Sequence, residues 1–434
     1  MSMIRPETEM KDTGIEWIGI IPSSWTIFPV NGVFSEVKEK NTDLKFTNAF
    51  SFKYGEIIDK KQVGDVDNNL KETLSSYTIV RKNTIMINGL NLNYDFVSQR
   101  VAIVNESGVI TSAYLAIQPD ENKINPRFVL YLLKSYDYQQ VFHGLGSGIR
   151  KTLKYQNFKK IMIVAPTLSE QQAIADYLDE TCSKIDEIIA EAKASIDEYK
   201  KLKQSVIFEA VTKGLDKNVN VYKTGNIWIP LLPVGVKLSR FGLHHDIILG
   251  KMLCPNPRNE EDTLEPYYCA ANVHFDGVTG ELKTMWFNSK EKETYVVHKN
   301  DMLIVEGGAG AGGTAIMNEE PPVSTFVQNS IMIVRSHMKD NRYSCYLVQA
   351  LVKNKYVDVV CNKATIPHFT KEKVSYMPYP VFNRNERKEI ADYLDERSGN
   401  IDFLIAEKQS LINDLEAYKK SLIYEVVTGK RRVV

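Results

Sequence analysis

Two long stretches of the chain place an apolar residue at every seventh position, with polar and charged residues between. The first runs from Ser169 to about Lys213 without proline or glycine, and Gly214 follows it. This pattern predicts one long α-helix with an apolar stripe, ended by the glycine that helix C-termini favour. Ser169 and Gln172 fit a capping box at its start. The stripe comprises Leu178, Ile185, Ala192, Tyr199 and Val206, widened by Ile174, Ile188, Ile189, Ile196 and Leu202.

The second stretch repeats the stripe less regularly, because Lys408 interrupts it and Gly399 lies within it; Gly429 ends it. At 1.5 Å per residue, each helix would be roughly 65 Å long, and neither can bury its stripe alone. We expect the two helices to form an antiparallel coiled coil that holds two domains at a fixed distance. A helix pair docked inside one globule is the alternative. The second stripe comprises Leu394, Ile401, Leu415 and Leu422, flanked by Leu404, Leu411 and Tyr418.

The two stretches are copies of each other. The heptapeptide Ile-Ala-Asp-Tyr-Leu-Asp-Glu stands at Ile174–Glu180 and again, 216 positions further on, at Ile390–Glu396. The similarity continues without a gap to Thr212 and Thr428. A chain built from two similar halves is expected to fold with an internal pseudo-two-fold axis, which suits a molecule that reads two half-sites on one partner.

The segments between the predicted helices have the patterns of folded domains and resemble each other faintly. Thr13–Ile18 resembles Thr224–Ile229, and Val80–Ile87 resembles Val297–Ile304. Each segment is therefore expected to be α+β, with similar frameworks and divergent surfaces. Short apolar runs predict strands at Val101–Val104, Ile161–Pro166 and Ile331–Val334, and longer periodic runs predict helices at Phe128–Tyr138 and Tyr343–Val352.

Composition is that of an ordinary soluble globular protein, with 43% hydrophobic and 25% charged residues among 434, enough for about three folding units. No apolar run approaches the roughly 20 residues of a membrane span, and Met1–Pro6 has no signal-peptide pattern. The cysteines are odd in number and lack metal-ligand spacing, so free thiols in a reducing cytoplasm are expected. They are Cys182, Cys254, Cys269, Cys345 and Cys361.

The formal net charge is zero, which argues weakly against a free-standing nucleic-acid binder. One local cluster departs from this balance and contains no acidic residue. It predicts a phosphate-binding surface, with a merely solvated face as the alternative. The cluster comprises Arg150, Lys151, Lys154, Lys159 and Lys160.

No motif for catalysis or cofactor binding stands out. Gly307–Thr314 has the glycine spacing of a P-loop, but Gly313 occupies the lysine position. A flexible turn that lets main chain approach a ligand closely is favoured over nucleotide binding. The pair His244–His245 has no further metal ligands nearby, and Asn256–Arg258 departs from the amino-methyltransferase motif. We therefore expect a binding protein with neither catalytic residues nor a metal site.

These motifs together resemble the specificity (S) subunit of type I restriction-modification systems. The resemblance covers the whole chain in the family's order of parts. It implies a first target recognition domain at 1–168, a first long helix at 169–214, a second target recognition domain at 215–383 and a second long helix at 384–434. Its carriers are Gly14–Gly19 with Pro22 and Trp25, Pro166–Ile174 at the entry to the first helix, and Ser421–Lys430 at the end of the second.

Two local departures from the family pattern affect loop details. Arg387 stands where a glutamine is expected after Glu386, and Trp228–Pro230 lacks the glycine and second tryptophan of the first opening.

The resemblance implies a non-catalytic subunit that selects an asymmetric, bipartite DNA sequence. Each target recognition domain would read one half, and the helices would set the spacer. The implied partners are double-stranded DNA, two methyltransferase (modification) subunits and restriction subunits, with no membrane. S-adenosylmethionine, ATP and Mg are expected on those partners, and no cofactor on this chain. A neutral chain fits, because partners can supply phosphate contacts.

Candidate DNA-binding residues follow from charge and from the correspondence between the halves. In the first domain they are Arg150, Lys151 and Lys154, with Arg100 and the loop Asn88–Asn93 as weaker candidates. In the second they are Lys363, Thr365, His368 and Lys371, beside the glycine-rich turn. For each lysine, phosphate contact is favoured over base readout. Two other classes stay open: a coiled-coil adaptor joining two protein-binding domains, and a methyltransferase or nuclease fused to recognition domains.

Overall fold

The computed structural model describes residues 4–60, 68–97, 99–361 and 367–433. The chain divides into two compact units. The first unit comprises Met1–Lys193 and Ser410–Val434, and the second unit comprises Ala194–Gln409. Both boundaries fall inside long helices, so each unit contains one segment of each helix.

The first unit combines short strands with a few short helices. Its described strands are β1 (Met10–Asp12), β2 (Ile20–Pro22), β3 (Thr26–Pro29), β4 (Phe34–Glu36), β5 (Ala49–Lys53), β6 (Glu56–Asp59), β7 (Thr78–Val80), β8 (Ile85–Ile87), β9 (Val101–Ile103), β10 (Gly108–Ile110), β11 (Leu115–Pro119) and β12 (Met162–Ala165). Its shorter helices are α1 (Asn68–Ser76), α2 (Pro126–Tyr138), α3 (Val141–Leu145) and α4 (Tyr155–Phe158), with 3-10 turns at Glu7–Glu9 and Val30–Gly32.

Two four-stranded sheets form the body of this unit. One has the order β6-β5-β10-β7, in which β10 runs parallel to β5 and the other pairs are antiparallel; the other has the antiparallel order β4-β11-β8-β9. Buried side chains from both sheets meet in one cluster, among them Phe50, Met86 and Ile110. Strands β1 and β2 form a separate antiparallel ladder, as do β3 and β12.

Helix α2 begins where local chemistry predicts a helix start. Pro126 occupies the first turn, and the Asn125 side chain accepts hydrogen bonds from the backbone amides of Arg127 and Phe128. The predicted helix at 128–138 is confirmed, as are the strands predicted at 101–104 and 161–166.

The second unit repeats this plan. Its described strands are β13 (Val221–Lys223), β14 (Leu231–Pro233), β15 (Lys237–Arg240), β16 (His245–Leu249), β17 (Thr263–Tyr268), β18 (Val273–His274), β19 (Gly277–Val278), β20 (Lys283–Phe287), β21 (Met302–Val305), β22 (Thr314–Ile316), β23 (Phe326–Val327), β24 (Ile331–Ser336) and β25 (Pro378–Val381). The two long helices are α5 (Leu168–Lys213) and α10 (Arg384–Val427), and the shorter ones are α6 (Ser289–Tyr295), α7 (Arg342–Lys353), α8 (Tyr356–Val360) and α9 (Lys371–Ser375), with 3-10 turns at Phe241–Leu243 and Ala270–Asn272.

The predicted similarity of the two frameworks is visible in their sheets. The antiparallel sheet β16-β24-β21-β22 of the second unit has the connectivity of β4-β11-β8-β9 in the first. The turns that precede β8 and β21 each contain an asparagine with positive φ, Asn83 at 69° and Asn300 at 68°. The frameworks diverge elsewhere, because the other sheet of the second unit has the described order β20-β17-β23 and a small hairpin, β18-β19, accompanies it.

The long helices end as predicted, and α5 begins one residue earlier than predicted. Gly214 and Gly429 follow α5 and α10 with φ of 76° and 71°, a conformation that glycine adopts without strain. At the start of α5, the hydroxyl of Thr167 accepts the Glu170 backbone amide at 3.3 Å. The capping role predicted for Ser169 therefore belongs to Thr167, and the predicted capping box is wrong.

Within each unit, the two helix segments run antiparallel, and an ion pair joins them. In the first unit Lys419 Nζ lies 2.6 Å from the Asp186 carboxylate, and in the second Lys203 Nζ lies 2.6 Å from Asp402. The centre of the predicted stripe is buried, as at Leu178 and Leu394. The predicted α+β class with two long helices is confirmed.

The flanking positions of the stripe differ, because Ile174, Ile189 and Ile196 are buried whereas five others are partly exposed. Ile188, Leu202, Leu404, Leu411 and Tyr418 each keep about two-fifths or more of their surface in solvent. Among the described helices, none has a stretch apolar enough for a bilayer crossing.

Candidate nucleic-acid interface

Two surface segments of the first unit lie against each other, and we call them the first loop pair. They are the loop 88–97, which follows β8, and the turn 147–152, which follows α3. The backbone amide of Leu92 donates to the Lys151 carbonyl at 3.0 Å, and that of Leu153 donates to the Gly89 carbonyl at 2.9 Å. The Asn93 side chain donates to the Ile149 carbonyl at 3.2 Å. The predicted loop Asn88–Asn93 and the predicted basic residues thus share one surface.

A glycine makes this close approach possible. A Cβ atom placed on Gly89 would lie 2.8 Å from the Leu153 Cβ and 2.9 Å from its carbonyl oxygen, closer than side chains and main chain can pack. Any other residue at this position would separate the two segments.

The basic side chains of the first loop pair face solvent. Arg150 and Lys151 occupy the turn, and Lys154 precedes α4; all three are exposed. In the part of the chain described here, no ion pair involves them. Free cations on an exposed turn can neutralise phosphates, which is the contact predicted for them.

Arg100 lies inside the unit, in contrast to these three. It is 1% exposed, and its guanidinium donates to the main-chain carbonyls of Asn88, Leu90 and Asp95. Its charge also lies 3.6 Å from the Asp95 carboxylate. In this conformation Arg100 cannot reach DNA directly; it holds the loop 88–97 from beneath.

Asp137, near the end of α2, connects Arg100 to that helix. Its carboxylate accepts the Arg100 backbone amide at 2.7 Å. Burial raises the pKa of Asp137 to about 6, against the lowering effect of the hydrogen bond and charge of Arg100.

Four large apolar side chains of the first loop pair are exposed, and sequence reasoning missed them. Val97 is 92% and Ile149 95% exposed, and Tyr94 and Phe96 also face solvent in part. Phe96 stacks on His143 with ring centroids 5.0 Å apart. Apolar atoms beside cations suit a DNA groove, where thymine presents its C5-methyl group. The available signal was an isoleucine between Gly148 and Arg150, in a turn otherwise made of small and charged residues.

The second unit has a corresponding second loop pair, formed by the loop 306–313 after β21 and the segment 367–371. The Phe369 backbone amide donates to the Glu306 carbonyl at 2.6 Å, and Gly307 forms a β-bridge with His368. This bond matches the one between Leu153 and Gly89, because each joins the loop after the equivalent strand to the segment before the last short helix. The same main-chain contact therefore supports both candidate surfaces.

The predicted residues of the second unit divide between described and undescribed positions. His368 is exposed, and its Nδ1 lies 3.3 Å from the Glu306 carboxylate. Lys371 is exposed at the first position of α9. Lys363 and Thr365 lie outside the described residues. The turn Gly307–Gly313 has an exposed tip at Ala309–Gly310, and its close approach to a ligand stays a prediction.

The histidine pair in the second unit is structural. His245 stacks on Phe241 at 3.8 Å, and its ring nitrogens lie 2.9 Å from the Phe241 carbonyl and 2.8 Å from the Ser344 hydroxyl. Burial lowers its pKa to about 4, so it is neutral at pH 7. Among the described residues, no group of three or more His, Cys, Asp or Glu is placed to hold a metal ion.

The two units share a framework, and each carries one of the two loop pairs. Comparison with known proteins shows what this arrangement is similar to. Residues 22–198 match the family model described as the type I restriction modification DNA specificity domain. The matched residues lie almost entirely in the first unit, and the match supports the selection of specific DNA sequences.

Relatives with related names match between about three quarters and nearly all of the chain. It is 22% identical to the putative type I restriction enzyme MjaX specificity subunit of Methanocaldococcus jannaschii, over 96% of each chain. It is 21% identical to the MjaVIII specificity subunit of the same organism, over 95% of this chain and 94% of the relative. It is 23% identical to the EcoBI specificity subunit of Escherichia coli, over 74% and 68%. The resemblance to type I specificity subunits is confirmed.

Solved structures agree on the fold. A chain from a study of complex assembly and conformational transition of the type I R-M system superposes with a TM-score of 0.71 at 15% identity, covering 94% of this chain and 99% of that one. The HsdS subunit from Thermoanaerobacter tengcongensis superposes with a TM-score of 0.52 at 15% identity, covering 94% and 98%.

Proposed function

We propose that this chain selects the DNA target of a type I restriction-modification complex, with each unit reading one half of a bipartite, asymmetric sequence. The observation that carries the proposal is the loop pair, present once in each unit on the same main-chain contact. The first pair exposes cations and apolar groups, and the second exposes a glycine-rich turn, a histidine and a lysine. Two equivalent surfaces with different side chains are what two readers of different half-sites require.

In the first loop pair, phosphate contact and base readout fall to different residues. Arg150, Lys151 and Lys154 carry unpaired charge and would position the unit on the DNA backbone. Ile149 and Val97 have no polar group and would contact base edges. Arg100 contributes only by supporting the loop.

The two long helices would set the spacer between the half-sites. Each long helix contributes one segment to each unit. A helical connection would convert a distance along the protein into a fixed number of base pairs.

Methylation and cleavage would belong to other subunits, with this chain non-catalytic and without a cofactor. Two methyltransferase subunits would bring S-adenosylmethionine, and restriction subunits would bring ATP, Mg and the nuclease, in the cytoplasm. The chain's lack of a recognisable cofactor motif supports this division. If S-adenosylmethionine bound to the isolated chain, the fused-enzyme alternative would gain support.

A base-resolution methylome tests the proposal. Cells would express this chain with its modification subunit, and the control cells would express the modification subunit alone. We expect methylated bases in one split motif, with two short defined halves around a fixed gap, only in the first cells. An unsplit motif would mean that one unit alone reads DNA. No methylation by an assembled, cofactor-loaded complex would favour the adaptor class.

A further inference from the structure

The repeated heptapeptide holds the short helix of each unit against a long helix. In the first unit, the Arg127 guanidinium of α2 contacts two carboxylates of α5, Asp176 at 2.6 Å and Asp179 at 2.5 Å. One turn further along α2, the Tyr131 hydroxyl donates to Asp179 at 2.8 Å. We call this set the first anchor.

The second unit has the same arrangement, the second anchor. The Arg342 guanidinium of α7 lies 2.7 Å from both Asp392 and Asp395 of α10, and the Tyr346 hydroxyl donates to Asp395 at 2.9 Å. In both units the aspartates are the third and sixth residues of the heptapeptide, and the arginine and tyrosine are four residues apart.

Helix geometry explains these spacings. Residues three or four apart lie on one face of a helix, so two aspartates at that spacing can share one guanidinium. The planar guanidinium has enough donors to bind two carboxylates at once, which fixes the direction as well as the distance of the contact. An anchor of this kind resists rotation of the short helix on the long one, in addition to the restriction that apolar packing gives.

Contacts also connect the short helix that carries each anchor to the loop pair of its unit. In the first unit, α2 ends at Asp137 and Tyr138, and Asp137 binds the backbone amide of Arg100, whose side chain holds the loop 88–97. In the second unit, Val352 of α7 packs closely against Gly312 of the loop 306–313. A Cβ atom placed on Gly312 would lie 3.0 Å from the Val352 side chain. The short helix therefore stands between the long helix and the candidate DNA surface in both units.

We infer that the two anchors are positioning devices, which fix the angle of each target recognition domain on its long helix and thereby the spacing and phase of its half-site. This inference rests on the proposed function. One base pair changes the separation of two half-sites by about 3.4 Å and rotates one against the other by about 35°. A domain held at a defined angle distinguishes targets whose gaps differ by one base pair. A domain whose angle on its helix varies would accept both gaps.

The test compares methylation of three targets by the complex of this chain with its modification subunits. The targets carry the native gap, one base pair fewer and one base pair more, between unchanged halves. Variants Arg127→Gln and Tyr131→Phe loosen the first anchor, and Arg342→Gln loosens the second. The matched control is Glu180→Gln, which removes a carboxylate next to Asp179 whose partner is Lys184 on the same helix, 2.6 Å away.

We expect the preference for the native gap over the altered gaps to fall by about tenfold in Arg127→Gln and Arg342→Gln, which corresponds to about 1.4 kcal/mol. Tyr131→Phe should have a smaller effect, Arg127→Lys should restore part of the preference, and Glu180→Gln should leave it unchanged. Arg127→Gln combined with Asp179→Asn should cost less than the sum of the two single changes, because both remove the contact between Arg127 and Asp179.

Two results would overturn the inference and leave the proposed function intact. One is an unchanged preference in both arginine variants. The other is an equal loss of methylation on all three targets, which means that the anchor only stabilises the unit. Thermal unfolding of each variant separates the second result from misfolding. If the unaltered chain directs no split-motif methylation at all, the proposed function fails and the inference fails with it.

Discussion

Truncation of the Arg100 side chain tests whether this residue supports the loop 88–97 or contacts DNA. We expect Arg100→Ala to free the loop 88–97, because the guanidinium donates to three main-chain carbonyls of that loop from a position that is 1% exposed. The contact through the Arg100 backbone amide to Asp137 survives this substitution, so the change isolates the side chain.

The magnitude follows from the groups left behind. Each carbonyl that loses a charged donor costs about 1–3 kcal/mol if water cannot replace the donor. The loop lies at the surface, so water reaches part of the vacated space, and we expect a total loss of about 3–5 kcal/mol in the free energy of unfolding of the first unit. The matched control is Arg150→Ala, an exposed arginine of the same surface, which should change stability by less than about 0.5 kcal/mol.

Amide hydrogen exchange is the direct assay. The Leu92 and Leu153 amides donate across the loop pair, so their protection should collapse in Arg100→Ala and persist in Arg150→Ala. DNA binding should fall in both variants, uniformly over sequences for Arg150→Ala. Wild-type protection in Arg100→Ala, together with relaxed discrimination at one base pair, would refute this reasoning and restore Arg100 as a reader of DNA.

Three further predictions concern single side chains. Ile149→Ala should weaken binding to the native half-site, and replacing one thymine by deoxyuridine should weaken the unaltered complex but not the variant; equal sensitivity in both would exclude a contact to that methyl group. The pKa of His245 lies at about 4, below its usual value of 6.5, so the stability it contributes is present above pH 6.5 and is lost as the pH falls through 4; urea unfolding should show a loss of about 3 kcal/mol over that window, absent in His245→Gln. The pKa of Asp137 is raised to about 6 from 3.8, so its stabilising effect is present below pH 3.8 and is lost as the pH rises through 6; Asp137→Asn should raise stability at pH 7 by up to about 3 kcal/mol, and a variant that keeps the wild-type pH dependence would contradict this.

The helices could be predicted from sequence because their signal is local and repeated. A seven-residue apolar period and a terminal glycine are visible in one chain, and both appear in the structure. Local signals also place α2 and β12 correctly. The capping residue was misassigned by two positions, since Ser169 and Thr167 fit the same pattern and the choice depends on where the preceding strand ends.

The candidate site was less predictable because charge alone does not reveal burial. Arg100 and Arg150 look alike in sequence, yet one is buried beneath a loop and the other is exposed. The difference arises from Asp137 and three carbonyls that only tertiary structure brings to Arg100. The anchors escaped sequence analysis for the same reason: the repeated aspartates were visible, but Arg127 and Tyr131 lie some fifty residues before them.

The loop pairs show how two units can share a framework and read different sequences. The bonds that hold each pair are largely main chain to main chain, as between Leu153 and Gly89 or Phe369 and Glu306. Such bonds do not depend on the identity of the side chains that face outward, with the exception of glycines needed for close approach. The anchors use side chains, but these face the long helices. Outward-facing residues can therefore change without loss of position. Under the proposed function, a new half-site specificity would require no change in the two long helices.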